Sequence, residues 1–167
     1  MNENSGLDSQ QKNADLTVVV VDECDEIDVD LDAWQTLAEQ VLSSEGLATC
    51  GVELTIHFVD EVAMTELNQT HMDSSGPTDV LAFPLLEPAE IAQLSGLGPQ
   101  LLGDVVICPA VAFRQAEEVL GRNAVDELAL LLVHGILHLL GHDHYHPEER
   151  AVMEARQDEH LAKFLHE

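Results

Sequence analysis

Five of the chain's nine histidines fall between positions 134 and 146, in the run His134-Gly-Ile-Leu-His138-Leu-Leu-Gly-His142-Asp-His144-Tyr-His146. His134 and His138 are four residues apart, so on a helix both imidazoles leave the same face. Gly141 adopts φ > 0 without steric cost, which ends a helix and turns the chain back so that His144 can reach the same point. Three neutral imidazoles with a fourth position open make a zinc site of the catalytic rather than the structural kind. A single histidine on an apolar helix is usually a satisfied core residue. Two rings within one apolar helix are different, because burial without partners is costly and one metal ion relieves both. Nickel or copper would accept the same three rings. His142 and His146 are expected to be exposed or hydrogen-bonded instead. Asp143 has three open roles: acceptor for a ligand's second ring N–H, base near a bound water, or cap of the turn.

The spacing H-x-x-x-H-x-x-G-x-x-H matches the metzincin pattern at its histidines and glycine, so a zincin-like site is expected. The glutamate that follows the first histidine in those proteases, and serves as their general base, is Gly135 here. Glycine cannot activate water. The metal pattern is therefore present and the peptidase chemistry is not. A metallohydrolase of another substrate class would need its base elsewhere, with Asp143 and Asp104 as candidates.

These side chains must be positioned by a framework that periodicity makes visible. Ala124 to Leu140 is apolar nearly all round, which predicts a central buried helix carrying the metal motif, with Asn123 as N-cap. Leu16–Val21 reads as a strand buried on both faces. Asp30–Glu45 reads as an amphipathic helix with Leu31, Trp34, Leu37, Ala38, Val41 and Leu42 on one face. Val52–Val59 alternates like a strand with one wetter face. A helix over Asp60–His71, a polar loop from Met72 to Pro77 and a strand over Asp79–Phe83 follow. Leu85–Leu102, punctuated by Pro88, Gly96, Gly98 and Pro99, is either a lid or a packed insertion with a short helix. Gly103–Cys108 reads as a strand, and Pro109 opens a helix to Leu120. Pro147 opens the last helix, with an apolar stripe of Met153, Leu161, Phe164 and Leu165. Strands and helices without regular alternation favour an α+β fold, a small mixed sheet with helices packed on it.

The 167 residues suit one domain, expected over 16–167 after a disordered polar tail at 1–15. No basic-then-apolar leader is visible, and the longest apolar stretch, Leu128–Leu140, is short of the ~20 residues of a membrane span. A cytoplasmic protein without a membrane role is expected. Cys24, Cys50 and Cys108 are too few and too scattered for a disulfide framework or a thiolate metal site. The charge is the unusual feature: 32 acidic residues against 6 basic ones, a formal net charge of -26. Nucleic-acid binders usually carry a basic footprint, so this balance counts against strong non-specific RNA binding.

With these residues in view the chain resembles the YbeY family, whose hallmark is H-G-x-L-H-L-x-G-Y/H-D-H. Residues 134–144 fit it throughout. Pro77-Thr-Asp-Val-Leu-Ala-Phe-Pro84 is close to the family's P-T-D/N-V-L-S-F-P, Gly103-Asp-Val-Val-Ile-Cys108 resembles its G-D-I-V-I-C strand, and Leu67-Asn68 resembles the L-N ahead of the first block. The resemblance runs from about Leu16 to about residue 160. It implies a metal-dependent endoribonuclease selective for single strands, acting in maturation of small-subunit ribosomal RNA and in ribosome quality control. The implied partners are single-stranded or ribosomal RNA and a ribosomal particle or its proteins, with no DNA. His134, His138 and His144 carry over as ligands of one zinc ion. Many members also place an arginine shortly after the L-N pair, thought to serve catalysis, where this chain has Met72. Arg114 is the substitute candidate for stabilising phosphate charge, with a surface salt bridge as its other reading. The competing function is a non-catalytic, zinc-stabilised ribosome-assembly factor.

Overall fold

The computed structural model describes residues 16–24, 30–94, 99–119 and 121–165. The expected tail, 1–15, lies outside the described residues. Four strands and six helices appear among the described residues: β1 (Thr17–Asp22), α1 (Leu31–Ser44), β2 (Val52–Phe58), α2 (Glu61–Met72), β3 (Val80–Pro84), α3 (Pro88–Ala92), β4 (Gln100–Ile107), α4 (Pro109–Glu118), α5 (Ala124–Leu139) and α6 (Pro147–Leu165). The sheet order is β1-β2-β4-β3. β1, β2 and β4 run parallel, and β3 pairs antiparallel with β4 at the far edge. The fold is α+β with a mixed sheet, as expected.

The helices start where side chains can satisfy open backbone N–H groups. Asp30, Asp60 and Asn123 accept from Ala33, Ala63 and Asp126 at the N-termini of α1, α2 and α5. One face of the sheet, with Val18, Leu54, Ile56, Val105 and Ile107, joins Trp34, Leu37, Leu42, Leu132 and Ile136 in the main core. α5 lies at the centre of that core and packs against α1, α4, α6, β3 and β4. Residues alternate sides along a strand, so Leu81 and Val106 point the other way and meet Met64 of α2.

Two expectations need correction. β1 is not buried on both faces: only Val18 is buried, and Val19 is 38% exposed. A β-branched run reads the same at an edge as in the middle of a sheet, and β1 is the edge beyond the reach of α2. β4 begins at Gln100 rather than Gly103. Its register against β2 shifts between Glu53 and Leu54, and Gly103 lies there with φ +148. A Cβ at Gly103 would come within 2.4 Å of the Phe83 carbonyl oxygen, so the glycine marks a bulge inside the strand, not its start.

Candidate metal centre

α5 presents two of the three histidines, and the turn after it brings the third. Gly141 N–H donates to the His138 carbonyl at 3.0 Å and His142 N–H to the Leu137 carbonyl at 3.0 Å. This is a Schellman closure with Gly141 at φ +97. A Cβ at Gly141 would also meet Pro88 Cγ at 2.7 Å, so glycine is required there twice over. Leu86, Ile91 and Leu94 pack against the main core, so the described part of the 85–102 segment is a packed insertion with a short helix, and Pro88 of α3 lies beside the metal turn.

The three rings converge. Their ligand atoms all lie within 4.8 Å of one another, and their centroids are 4.5, 5.1 and 5.7 Å apart. His134 and His138 are partly buried and His144 is exposed, leaving one side of the cluster open. His134 Nδ1 meets Gln157 Oε1 at 2.5 Å. With the amide so oriented, the oxygen only accepts, so the ring proton is on Nδ1 and the Nε2 lone pair is free. That Nε2 faces His138 Nε2 at 3.0 Å. Burial pushes the His138 pKa down, as do His134 and His144 beside it, against a smaller upward pull from a hydrogen bond to the His142 backbone and from Asp143. A neutral His138 bonded to a backbone acceptor also turns a lone pair toward His134. Two nitrogen lone pairs at this separation repel unless a cation lies between them. The donor set therefore fits a metal ion.

The cluster forms one wall of a cleft of about 520 Å³ between α5 and the sheet edge, lined also by Met72, Thr78, Asp79, Leu81 and Pro84. Gly135 belongs to that wall. A Cβ on it would come within 2.7 Å of Val105 Cγ1, so α5 lies against β4 at the position where the metzincin pattern places its glutamate.

The other candidates fall around this cleft. Asp143 Oδ1 accepts from the His144 backbone N–H at 2.6 Å, and Asp143 does not line the cleft. His142 is partly buried and His146 exposed, both outside the cluster. Arg114 is ion-paired with Glu61 and does not line the cleft. Asp104 must be withdrawn as a base at the metal. It leaves the sheet on the same face as Val106 and bonds His57 Nε2 at 3.0 Å, in a separate pocket with Glu23 and His71.

Two residues were given no role by the sequence: Asp79, although it stands in the 77–84 block, and Gln157. Asp79 is the carboxylate of the cleft wall, with Oδ1 accepting from Val80 N–H at 2.7 Å. Gln157 supports His134 from α6. Its signal was a polar residue at a core position, since Met153, Gln157 and His160 are all buried along one stripe of that helix. Two of these three are polar, and each needs a partner.

A family model described as Endoribonuclease YbeY matches residues 19–165. Proteins named Endoribonuclease YbeY are similar over much of the chain. The one from Salinispora tropica is 47% identical over 143 residues, covering 82% of this chain and 89% of its own length. The one from Saccharopolyspora erythraea is 48% identical, covering 67% of this chain and 62% of its own. The one from Mycobacterium tuberculosis is 40% identical, covering 83% and 78%. A solution structure from Thermotoga maritima superposes with a TM-score of 0.63 at 26% identity, covering 89% of each chain. The histidine cluster, the glycine in place of a protease's glutamate and these matches agree, and the chain belongs to the endoribonuclease YbeY family.

Proposed function

We propose that this chain is a zinc-dependent endoribonuclease that cuts single-stranded RNA during maturation of small-subunit ribosomal RNA, working in the cytoplasm on or near a ribosomal particle. The observation that carries the reading is the convergence of His134, His138 and His144 on an open cleft whose protease glutamate is replaced by a glycine packed on Val105. Those three histidines would hold the ion. Zinc bound there supplies a water with its pKa lowered to about 7 and an electrophile for a phosphoryl oxygen.

The remaining chemistry belongs to the chain. Gln157 fixes the His134 tautomer. The Schellman turn holds His144 in reach, and Asp143 accepts from the His144 backbone N–H. Asp79 offers a hydrogen-bond acceptor at the cleft wall. The family block accepts Asn as well as Asp at that position, so Asp79 orients a group rather than abstracting its proton. Arg114 keeps to its ion pair with Glu61. The assembly-factor reading is not favoured, since it gives no reason for an open side on the metal cluster.

The test is a panel of substrates offered to zinc-loaded protein, with and without chelator: a short single-stranded RNA, the same RNA as a duplex, and casein. Internal cuts in the single strand that vanish with chelator are expected. Casein hydrolysis would overturn the RNA assignment. Intact RNA at full zinc occupancy would favour the assembly factor.

A further inference from the structure

An RNA enzyme needs something to grip its substrate, and the described residues give this cleft no cation to do so. None of its lining residues is Lys or Arg. The four arginines of the chain are committed elsewhere: Arg114 to Glu61, Arg122 to Glu127, Arg150 to Glu154, and Arg156 to Glu45 and Glu159. Lys163 contacts Ser44. With a net charge of -26, the grip on a polyanion must come from uncharged contacts beside the metal.

Tyr145 is such a contact. It is the only tyrosine of the chain and is 82% exposed, although it directly follows a metal-site histidine. Its ring is stacked on His144, with centroids 5.6 Å apart and planes 19° from parallel. One π-face is thus turned toward His144, and the ring is otherwise open to solvent. Exposing an aromatic ring so fully forgoes the gain of burying it. A base on the free face would extend the stack His144–Tyr145–base and would lie beside the metal cluster.

Resting on the ribonuclease reading above, we infer that Tyr145 is a nucleobase subsite: it stacks one unpaired base of the RNA next to the cleavage position. Base–aromatic stacking tolerates any sequence and carries no charge, so it works on an acidic protein. It also selects single strands, because the bases of a duplex are already stacked on their neighbours.

The experiment uses zinc-loaded protein and a short single-stranded RNA carrying one 2-aminopurine at successive positions. Fluorescence on mixing is read in stopped flow before turnover, and KM and kcat are then measured on the same strand. Wild type should quench the probe at one position only. Tyr145→Ala should lose that quench and raise KM about tenfold with kcat little changed, zinc content remaining at one ion per chain. Tyr145→Phe and Tyr145→Trp should keep both the quench and the KM. Tyr145→Leu, which still covers His144 but has no π-face, should behave like the alanine variant and serves if alanine disturbs zinc. Unchanged quench and KM in the alanine and leucine variants would overturn the subsite while leaving the ribonuclease reading intact. If wild type neither binds nor cuts single strands, the ribonuclease reading falls first.

Discussion

Gln157 and Gly135 shape the metal site without being ligands. Gln157 is buried and holds His134 in the tautomer that frees Nε2. Removing such a partner typically costs 10- to 100-fold in metal affinity. Gln157→Leu should weaken zinc binding by about that much in a chelator competition, while Gln157→Glu, still an acceptor, should not. Equal affinity for wild type and Gln157→Leu would remove the tautomer argument. At Gly135 the effect is steric. Helix propensity alone makes Gly→Ala stabilising by about 1 kcal/mol. Here the new Cβ would overlap Val105, a stiff β-branched side chain, and overpacking costs roughly 1–3 kcal/mol. Gly135→Ala should therefore lower the urea midpoint, and Gly135→Glu should lower it further without creating peptidase activity. A rise for the alanine variant would contradict the close packing of α5 on β4. The three histidines were legible at this scale because their spacing is local. Gln157 was not, being 23 residues from its partner and on another helix.

The elements that carry the site are α5, its closing turn and α6, and their docking depends on a polar clasp. Glu45, at the end of α1, accepts from Arg156 at 2.8 Å and from His160 at 2.6 Å, both on α6. Burial alone would raise the Glu45 pKa, but hydrogen bonds from His160 and Arg156 outweigh it and hold the carboxyl below its ordinary value. A depressed carboxylate contributes stability above its unfolded pKa and loses it as pH falls through the folded one. Glu45→Gln should thus cost about 1–3 kcal/mol at neutral pH, with the gap from wild type closing as the pH drops below the ordinary carboxylate range. Thermal melts across that range decide it, and a gap independent of pH would place the stabilisation elsewhere. The helices were readable from their period and caps. α6 was read only by its apolar members, because Gln157 and His160 look like surface residues until their partners are known. β1 and the start of β4 failed for a related reason: edge position and the bulge at Gly103 are properties of the assembled sheet. Arg114 takes the salt-bridge reading of its two, but its partner, Glu61 on α2 four elements earlier, is set only by the assembled fold.

At the scale of the whole molecule, a chain with net charge -26 must approach a polyanion. Basic RNA binders lose affinity steadily as salt rises, through counterion release. Here repulsion between protein and RNA outweighs attraction, and salt screens it over about 10 Å at 0.1 M. Cleavage of a short single strand should rise from low to moderate ionic strength, and should be faster on RNA presented within a ribosomal particle. A steep fall from the lowest salt would reveal a basic groove absent from the described residues. The acidity itself was plain in the sequence, and so was the implied family. The placement of every described arginine away from the cleft was not, since pairing is a property of the surface. The ribonuclease reading stands on one ion held by His134, His138 and His144. Zinc-free protein titrated with zinc, with the initial rate of internal cleavage of one single-stranded RNA read at each step, tests it most directly. No cleavage is expected without metal, a linear rise to a break at one ion per chain with it, and no rise with His138→Ala. Cleavage by the zinc-free protein, or a rate that rises equally in the His138→Ala variant, would contradict it.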